Sequence, residues 1–384
     1  MIHNIHFAKF KLISKMMIFS SVKRVDYFYI APVFIFFLLT CFQGMSYAQT
    51  DFSTNSNISL NKTDIGNYNF NWSSIESTHT APEVMSEVED YKAVFERCIS
   101  AGQERLAIRS FRQEGTEFRV TVDPQTLITR IEPVTTLRCN ADLAKVESLL
   151  KGTPYQNALN VERTREDLIQ NSGLVRALSP VNGYFLTADL CPSSKPGFNE
   201  ELFETLEQAK QVHGKEALPV ALSISGGWLR KHGEAFDWLN KQMKEGKLNI
   251  IWTNHTNNHP YNSHLDIDHN FMRESGIDVL AEILDLEKML VERGIAPSVF
   301  FRFPGLVSSP ELIEQLERLH LIALGSDAWL AKGQQPKLGS VILIHANLNE
   351  QLGVKLMLEW VSRQKSGSVT FLPLSDIAKK ANKP

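Results

Sequence analysis

The sequence lacks an excess of positive charge, since 40 Lys and Arg residues stand against 43 Asp and Glu residues. Its pI near 6.4 therefore gives no sign of a protein that binds a nucleic-acid backbone. An internal repeat is also not evident. What is present is a hydrophobic content of 43% and a charged content of 22%, ordinary values for a globular protein. The 384 residues suffice for one large domain and a smaller one.

The N-terminus also lacks an apolar run long enough to span a membrane. Residues 27–42 are apolar, but this run is shorter than the roughly 20 residues that span a bilayer. Lysines and arginines precede it, and Ser46-Tyr47-Ala48 follows, with small residues where signal peptidase cleaves. We therefore predict a signal peptide over residues 1–48 and export to the periplasm or the medium. An uncleaved membrane anchor is the alternative.

The rest of the chain divides by composition and periodicity. Residues 49–82 are rich in Ser, Thr and Asn, which predicts a flexible leader. Residues 83–150 predict a small α+β module that begins with a helix over 87–100 and continues with short strands. Residues 151–180 predict a helical connector. The last and largest part is expected over 181–384.

From residue 181 the pattern changes to short apolar strands that alternate with amphipathic helices. This alternation is typical of βαβ units, so it predicts an α/β fold with a parallel sheet or barrel. The predicted strands are 184–187, 218–224, 248–252, 298–301, 321–324, 341–344 and 369–372.

Three cysteines follow the predicted signal peptide, and an oxidising compartment favours disulfides. Cys98 with Cys139 is the natural candidate pair, because both precede residue 181. Cys191 would then be a free, buried thiol. The sequence alone leaves the pairing open.

Polar side chains follow five of the predicted strands, at the point where each strand ends. In a parallel barrel these ends lie on one rim, where active sites are built. The residues are Asp189, His255 with His259, Arg302, Asp327 and His345.

His255 and His259 are four residues apart, so one helical turn would place both imidazoles on one face, suited to a divalent metal such as zinc. Asp189 can serve as a metal ligand or a general base. The alternatives are surface or helix-capping roles for the histidines and a turn residue for the aspartate.

Arg302 can donate a forked pair of hydrogen bonds to a carboxylate and fix it. His345 can act as a general acid, and Asp327 can orient it. The alternatives are an ordinary salt bridge, a core histidine and a helix N-cap. The acidic and histidine residues within 264–269 are interpreted mainly as a polar loop.

These residues, in this order, resemble the polysaccharide deacetylases with the NodB-homology domain, carbohydrate esterase family four, over about residues 181–380. Residues 255–260 resemble the two-histidine metal motif of that family, and 301–305 resemble its Arg-aromatic-Pro segment. The strand that ends at His345 resembles its last strand, and 227–232 resemble the segment after its second strand. The resemblance implies a distorted (β/α) barrel preceded by the small module.

The resemblance also implies an exported, metal-dependent hydrolase that removes N-acetyl groups from a polysaccharide or oligosaccharide. The implied cofactor is a divalent metal, with zinc expected, on His255, His259 and Asp189. Asp189 would also act as the base and His345 as the general acid. Arg302 would orient Asp189, while Asp327 or Trp329 would position His345. Trp228, Trp252 and Trp329 are candidates for stacking on sugar rings.

One position departs from the family pattern. The first motif of the family usually carries two adjacent aspartates, and Leu190 stands where the second, metal-binding one would be. The third ligand is therefore open between Asp189, a water, and Asp266 or Asp268, and a damaged site is a further alternative. The alternatives for the whole protein are a carbohydrate-binding pseudoenzyme and an O-acetyl esterase. We expect an acetylated saccharide as partner, no nucleic acid, and membrane contact only through an uncleaved N-terminal segment.

Overall fold

The computed structural model describes residues 87–163, 169–193, 195, 197–213, 217–363 and 369–379. These residues belong to one compact unit, Thr78–Pro384. The predicted signal peptide and flexible leader, residues 1–82, lie outside the described residues. None of the described helices is long and apolar enough to cross a membrane.

The small module is built on an antiparallel sheet with strand order β4-β3-β2-β1-β5. Its elements are β1 (Val88–Ser100), β2 (Gln103–Gln113), β3 (Thr116–Val122), β4 (Thr129–Pro133), β5 (Leu137–Asn140) and α1 (Leu143–Leu150), and helix α2 (Pro154–Arg163) follows the module. At the β2–β3 turn, Glu114 and Gly115 have φ values of 51° and 74°. A two-residue hairpin turn requires such a left-handed pair, so the sequence forms the hairpin at this point.

The helix predicted over residues 87–100 is wrong, because this segment is strand β1. Its register against β2 shifts between Glu89 and Lys92 and again between Ala93 and Glu96. A bulge adds one residue to a strand and interrupts the two-residue alternation of its faces. The apolar residues therefore recur at spacings that imitate a helix.

Cys98 and Cys139 lie opposite each other in the β1–β5 pair and form a disulfide. Cys191 is free and buried. Both findings confirm the preferred pairing. The connector after the module is helical in α2, whereas residues 169–180 are not helical and form isolated bridges to the larger part of the fold.

The larger part contains a parallel sheet with strand order β10-β9-β8-β7-β6-β12-β11. Its strands are β6 (Phe185–Leu190), β7 (Pro219–Ile224), β8 (Asn249–Asn254), β9 (Phe300–Phe301), β10 (Ile322–Ala323), β11 (Ala328–Trp329) and β12 (Val341–His345). Within the described residues, the edge strands β10 and β11 do not pair to close a ring. The predicted α/β fold, a distorted barrel preceded by a small module, is confirmed as a curled half-barrel.

Six helices of the larger part fall between these strands or follow them. They are α3 (Glu200–His213), α4 (Gly226–Lys231), α5 (Gly233–Lys244), α6 (Val279–Val291), α7 (Pro310–Arg318) and α8 (Gln351–Arg363). Every residue of β6 and β7 is buried. Strands covered on both faces read as continuous apolar runs, which is why the sequence pattern located them well.

A buried ion pair joins the small module to the half-barrel. Arg109 of β2 donates from Nε and Nη2 to the two carboxylate oxygens of Glu287 on α6, at 2.6 and 3.0 Å. The hydroxyl of Tyr91 donates to the same carboxylate at 2.9 Å. The Arg109 and Glu287 side chains are each about 1% exposed. Breaking such a pair leaves a buried charge without its partner and costs about 3–5 kcal/mol, so the module is an integral part of the folded unit.

His320 lies at the same junction and is held in its neutral form. Its ring stacks on Phe95 of β1, with the centroids 3.7 Å apart. Burial, assisted by the charge of Arg109, lowers the pKa of His320 from 6.5 to about 3. Between those two pKa values the unfolded chain binds more protons than the folded one, so stability is complete above pH 6.5 and falls below it.

We expect the free energy of unfolding to decrease by about 2–3 kcal/mol between pH 7 and pH 4.5 through His320 alone. His320→Phe keeps the stack on Phe95 and should remove that part of the pH dependence. Urea unfolding at both pH values measures it, with the exposed His264→Gln as the control. An unchanged pH dependence in His320→Phe would show that other groups cause the loss.

Candidate functional site

Four of the polar side chains predicted at strand ends meet around one small cavity. Asp189 and His345 end neighbouring strands, and their Cα atoms are register partners in the β6–β12 pair. His255 and His259 follow β8 and lie beside them. The cavity has a volume of about 180 Å³ and is lined by Asp189, Cys191, His255, His259, Phe271, Gly305, Leu306, Trp329, Leu343 and His345.

Arg302 lies behind this cavity and holds Asp189, as the sequence predicted. It is fully buried, and its Nη1 donates to Asp189 Oδ1 at 2.7 Å and to Thr187 Oγ1 at 2.8 Å. Further donations go to the carbonyl oxygens of Leu324 and Gly325. Because the guanidinium is fixed on several sides, it holds one oxygen of Asp189 in place and leaves Oδ2 turned towards His255, 3.8 Å from Nε2.

The two histidines are close together, but they do not lie on a helix as their spacing suggested. Residues 255–259 form a loop in which Thr256 and His259 have φ values of 69° and 54°. The left-handed turns bring the rings together, with centroids 4.8 Å apart. The Thr256 hydroxyl accepts a hydrogen bond from the His259 backbone N–H, and Asn254 Oδ1 accepts one from Thr256. Strained loop conformations persist only where the surroundings fix them.

The surroundings of the histidine loop are formed by α4 and α6. Arg230 of α4 donates to the side-chain oxygens of Asn257 and Asn258, at 2.6 and 2.9 Å. The buried Glu282 of α6 accepts from the backbone and side chain of Asn258. A Cβ at Gly226 would come within 2.4 Å of Asn257, so glycine is required there for the close approach. The segment after β7 therefore acts as a support for the histidine loop.

The imidazoles have the hydrogen bonding expected of metal ligands. His255 Nδ1 is 2.8 Å from the carbonyl oxygen of Arg302. A carbonyl can only accept, so Nδ1 carries the hydrogen and the neutral ring has its lone pair on Nε2. His259 Nε2 is buried and has no hydrogen-bond partner among the described residues. The residues present therefore fit a divalent cation.

The charges around His255 also favour a cation. Burial disfavours a charged imidazole, but Asp189 and Cys191 outweigh it and raise the pKa of His255. Burial would raise the pKa of Asp189, yet Arg302, His255 and His345 lower it overall. Asp189 is therefore ionised at neutral pH.

Cys191 is a site residue that the sequence analysis missed. Its Sγ is 3.5 Å from His255 Nε2, and Cys191, His255 and His259 offer ligand atoms that all lie within 4.8 Å of one another. Burial raises the pKa of the thiol, but the two histidines lower it well below its ordinary value. A signal was present in the sequence, since residues two apart in an extended chain share a face and Cys191 follows Asp189 by two.

His345 is oriented by Glu350 and not by Asp327, so the prediction for Asp327 needs correction. His345 Nδ1 is 2.8 Å from Glu350 Oε2, and Trp329 Nε1 donates to the same oxygen at 3.1 Å. Asp327 accepts two hydrogen bonds from Arg176 of the connector, at 2.5 and 2.8 Å. Glu350 lies in the loop after β12 and not at the end of a strand, so the pattern of polar residues at strand ends does not include it.

The electrostatics of His345 suit a proton donor. Burial would lower the pKa of its ring, but Cys191 and Glu350, with a contribution from Asp189, raise it well above its ordinary value. Hydrogen bonding to His345 keeps the pKa of Glu350 low despite its partial burial. His345 is therefore an imidazolium at neutral pH.

The remaining candidates divide by exposure. Trp228 and Trp252 are core residues, 0% and 3% exposed, so of the three tryptophans only the partly exposed Trp329 lines the cavity. Asp266 lies on an exposed loop, and Asp268 pairs with the exposed His269 at 3.0 Å. Neither aspartate belongs to a possible metal cluster of the described residues. This supports the interpretation of 264–269 as a polar loop.

Comparisons with known proteins cover two parts of the chain. The family described as the RP012 protein N-terminal domain matches residues 89–156, within the small module and α2. A family 4 carbohydrate esterase from Bacillus anthracis is similar in structure, with 15% identity and a TM-score of 0.40 over 59% of this chain and 93% of that chain.

Two further solved structures are similar at the same low level. The chitin deacetylase of the fungal pathogen Colletotrichum lindemuthianum has 18% identity and a TM-score of 0.39, over 53% of this chain and 89% of that chain. A family 4 pseudoenzyme from Bacillus anthracis has 12% identity and a TM-score of 0.36, over 53% and 70%. The three similar structures named here are thus a family 4 carbohydrate esterase, a chitin deacetylase and a family 4 pseudoenzyme.

Proposed function

We propose that the protein is an exported, metal-dependent hydrolase that removes N-acetyl groups from a polysaccharide or oligosaccharide. The observation that carries the proposal is the meeting of Asp189, held by Arg302, and His345, held by Glu350, with the imidazoles of His255 and His259 in one cavity. Asp189 and His345 lie on adjacent strands in register. An acid and a base held on the same edge beside a cation site suit the hydrolysis of an acyl bond.

His255 and His259 would hold the divalent metal, through ring nitrogens that are buried or fixed by a backbone carbonyl. When bound, such a cation lowers the pKa of a water towards about 7 and polarises a carbonyl group. The expected metal is zinc, because imidazole suits it.

Asp189 would take the proton from the attacking water. Its Oδ1 is engaged by Arg302, which leaves Oδ2 facing the cavity. The role of Arg302 is to orient this carboxylate, since three other hydrogen-bonding partners, Thr187, Leu324 and Gly325, fix the guanidinium itself.

His345 would give a proton to the departing nitrogen. Glu350 fixes its Nδ1 side and supports the imidazolium, while Trp329 holds Glu350. One water is consumed, the carbon–nitrogen bond breaks, and the products are acetate and a free amino sugar. A positioned acid of this kind contributes roughly 10²–10⁴-fold to the rate.

The cavity suits a small acyl group on a larger substrate. A volume of about 180 Å³ is below the roughly 300–1,000 Å³ of pockets that enclose a whole drug-sized ligand. The acetyl group would enter it while the saccharide stays outside, with the partly exposed Trp329 available for a sugar ring. The Cys98–Cys139 disulfide supports the export part of the proposal, because disulfides persist in oxidising compartments.

Acetate release from a panel of substrates tests the proposal. The panel contains chitooligosaccharides, peptidoglycan fragments and acetylated xylan, each assayed with the metal-loaded protein. Release from the N-acetylated substrates is expected. Release from acetylated xylan alone would replace the proposal by an O-acetyl esterase, and saccharide binding without any acetate would identify a pseudoenzyme.

Glu350→Gln is expected to reduce kcat by about 10–100-fold, with KM little changed, because the imidazolium of His345 loses its anionic partner. Asp327→Asn, made in parallel, should stay within about threefold of the wild type, since Asp327 pairs with Arg176. Steady-state kinetics on the best substrate of the panel compares them. A larger loss in Asp327→Asn than in Glu350→Gln would restore the original assignment.

A further inference from the structure

The thiol of Cys191 takes no part in the proton transfers proposed above, although it is buried in the middle of the site. It belongs to two clusters of potential ligands among the described residues. One joins Cys191 to His255 and His259, and the other joins it to Asp189 and His345; in each, the ligand atoms lie within 4.8 Å of one another. Asp189 does not form such a cluster with both histidines in the described part of the chain. The thiol therefore stands where the carboxylate was expected.

The distance between the thiol and the first imidazole matches a tetrahedral metal. A zinc ion with bonds of about 2.3 Å to sulfur and about 2.05 Å to nitrogen separates these two atoms by about 3.6 Å. The observed distance between Cys191 Sγ and His255 Nε2 is 3.5 Å. The second imidazole is also available, because His259 Nε2 is buried and lacks a hydrogen-bond partner among the described residues.

The thiol reaches the cavity because side chains alternate between the two faces of the extended segment 188–191. Ala188 and Leu190 belong to the hydrophobic core, whereas Asp189 and Cys191 line the cavity on the opposite face. The backbone is fixed on both sides of the turn into the loop. The carbonyl of Leu190 accepts from Ser225, and that of Cys191 accepts from Asn347 Nδ2 at 2.9 Å.

A thiolate ligand in place of a carboxylate also preserves the negative charge that a three-ligand metal site needs. A thiolate supplies one negative charge, as a carboxylate would, and two neutral imidazoles complete three ligands with a fourth position open for water. Asp189 then keeps Oδ2 free for proton transfer. The difference lies in softness, since thiolate favours zinc and cobalt over magnesium and manganese.

We propose that Cys191, as a thiolate, is the third protein ligand of the metal, so that the protein has a Cys-His-His site in place of a carboxylate-based one. The inference rests on the metal of the proposed function. It also accounts for the leucine at position 190, because the ligand lies one residue later in the chain.

Cobalt substitution tests this directly. The metal-free full chain is titrated with Co²⁺, and the absorption spectrum is recorded. Direct thiolate ligation gives a sulfur-to-cobalt charge-transfer band in the near ultraviolet. Carboxylate and imidazole ligands do not. The band should reach its full height at about one equivalent of Co²⁺, and Zn²⁺ should displace it.

Two variants assign the band to Cys191. Cys191→Ser should lose it and bind Zn²⁺ at least about 100-fold more weakly, because removing a ligand costs more than removing its supporting partner. Cys191→Asp should recover Co²⁺ binding without the band. A double variant of the exposed His264 and His269 to Ala should keep the wild-type spectrum, which controls for adventitious surface binding.

The outcomes separate this inference from the proposed function. One equivalent of Co²⁺ bound by the wild type without the band would overturn Cys191 as a ligand and leave the metal-dependent hydrolase standing. A band that persists in Cys191→Ser would overturn it as well. If the wild type binds neither Co²⁺ nor Zn²⁺, the ligand assignment and the metal dependence fail together. Because the wild-type spectrum alone decides the first and third cases, a variant that fails to fold does not block the test.

Discussion

The double variant His255→Ala with His259→Ala is expected to contain almost no metal, whereas the wild type should carry about one divalent ion per chain. Both imidazoles offer buried nitrogens to the same point, and their loop is fixed by contacts from α4 and α6. Losing two of three ligands leaves a site that cannot compete with water for the cation. Elemental analysis of both proteins after dialysis measures the difference.

A second pair of histidines provides the control for this experiment. His264 and His269 lie only a few residues away but are exposed, and the double change to Ala there should leave the metal content at the wild-type level. Circular dichroism establishes that both variants are folded. Stoichiometric metal in the His255/His259 variant would exclude the two histidines as metal ligands.

The second large effect is expected for Asp189→Asn, which should lower kcat by about 10³-fold. The amide keeps the shape and an oxygen for Arg302, but it cannot accept the proton of the attacking water. Metal content should be unchanged if Cys191 completes the ligand set. Acetate-release kinetics and metal analysis on the same preparation give both values.

The variant also carries a stability cost that must be separated from the catalytic one. Asp189 is the carboxylate partner of the buried Arg302, and an unpaired buried charge costs about 3–5 kcal/mol. We therefore expect a lower melting temperature with a native circular dichroism spectrum at the assay temperature. Turnover within about tenfold of the wild type in the folded variant would exclude Asp189 as the base.

The sequence was most informative where residues are buried on both sides. The predicted strand 218–224 corresponds to β7 (Pro219–Ile224), and 341–344 to β12 (Val341–His345). Such strands are continuous apolar runs, and the polar residue that interrupts each run at its end marks the edge of the sheet. For this reason the sequence alone predicts that Asp189, Arg302 and His345 lie close together.

The sequence was least informative where local geometry departs from ideal periodicity. The bulges of β1 give its apolar residues a spacing typical of a helix. The positive φ values of Thr256 and His259 bring the two histidines together in a loop and not on a helix. The four-residue spacing of His255 and His259 fits both a helix and such a loop. It therefore predicts that the two imidazoles lie close together, but not the backbone conformation that brings them together.

The remaining differences between prediction and structure concern the hydrogen-bond partners of the predicted site residues. Glu350 lies five residues after His345 and reaches it through a loop, whereas Asp327 is held by Arg176 from the connector. Cys191 was predicted as a free, buried thiol, and its position in the site depends on the direction of its side chain. Long-range partners and side-chain direction are set by the tertiary fold, so a linear motif does not contain them.

The measurement that tests the account most directly is acetate release by one preparation before metal removal, after chelation and after return of Zn²⁺. We predict turnover of an N-acetylated oligosaccharide by the loaded protein, its loss on chelation and its recovery with about one equivalent of Zn²⁺. Turnover that survives complete metal removal, or a loaded protein that releases no acetate from any substrate of the panel, would contradict a metal-dependent deacetylase.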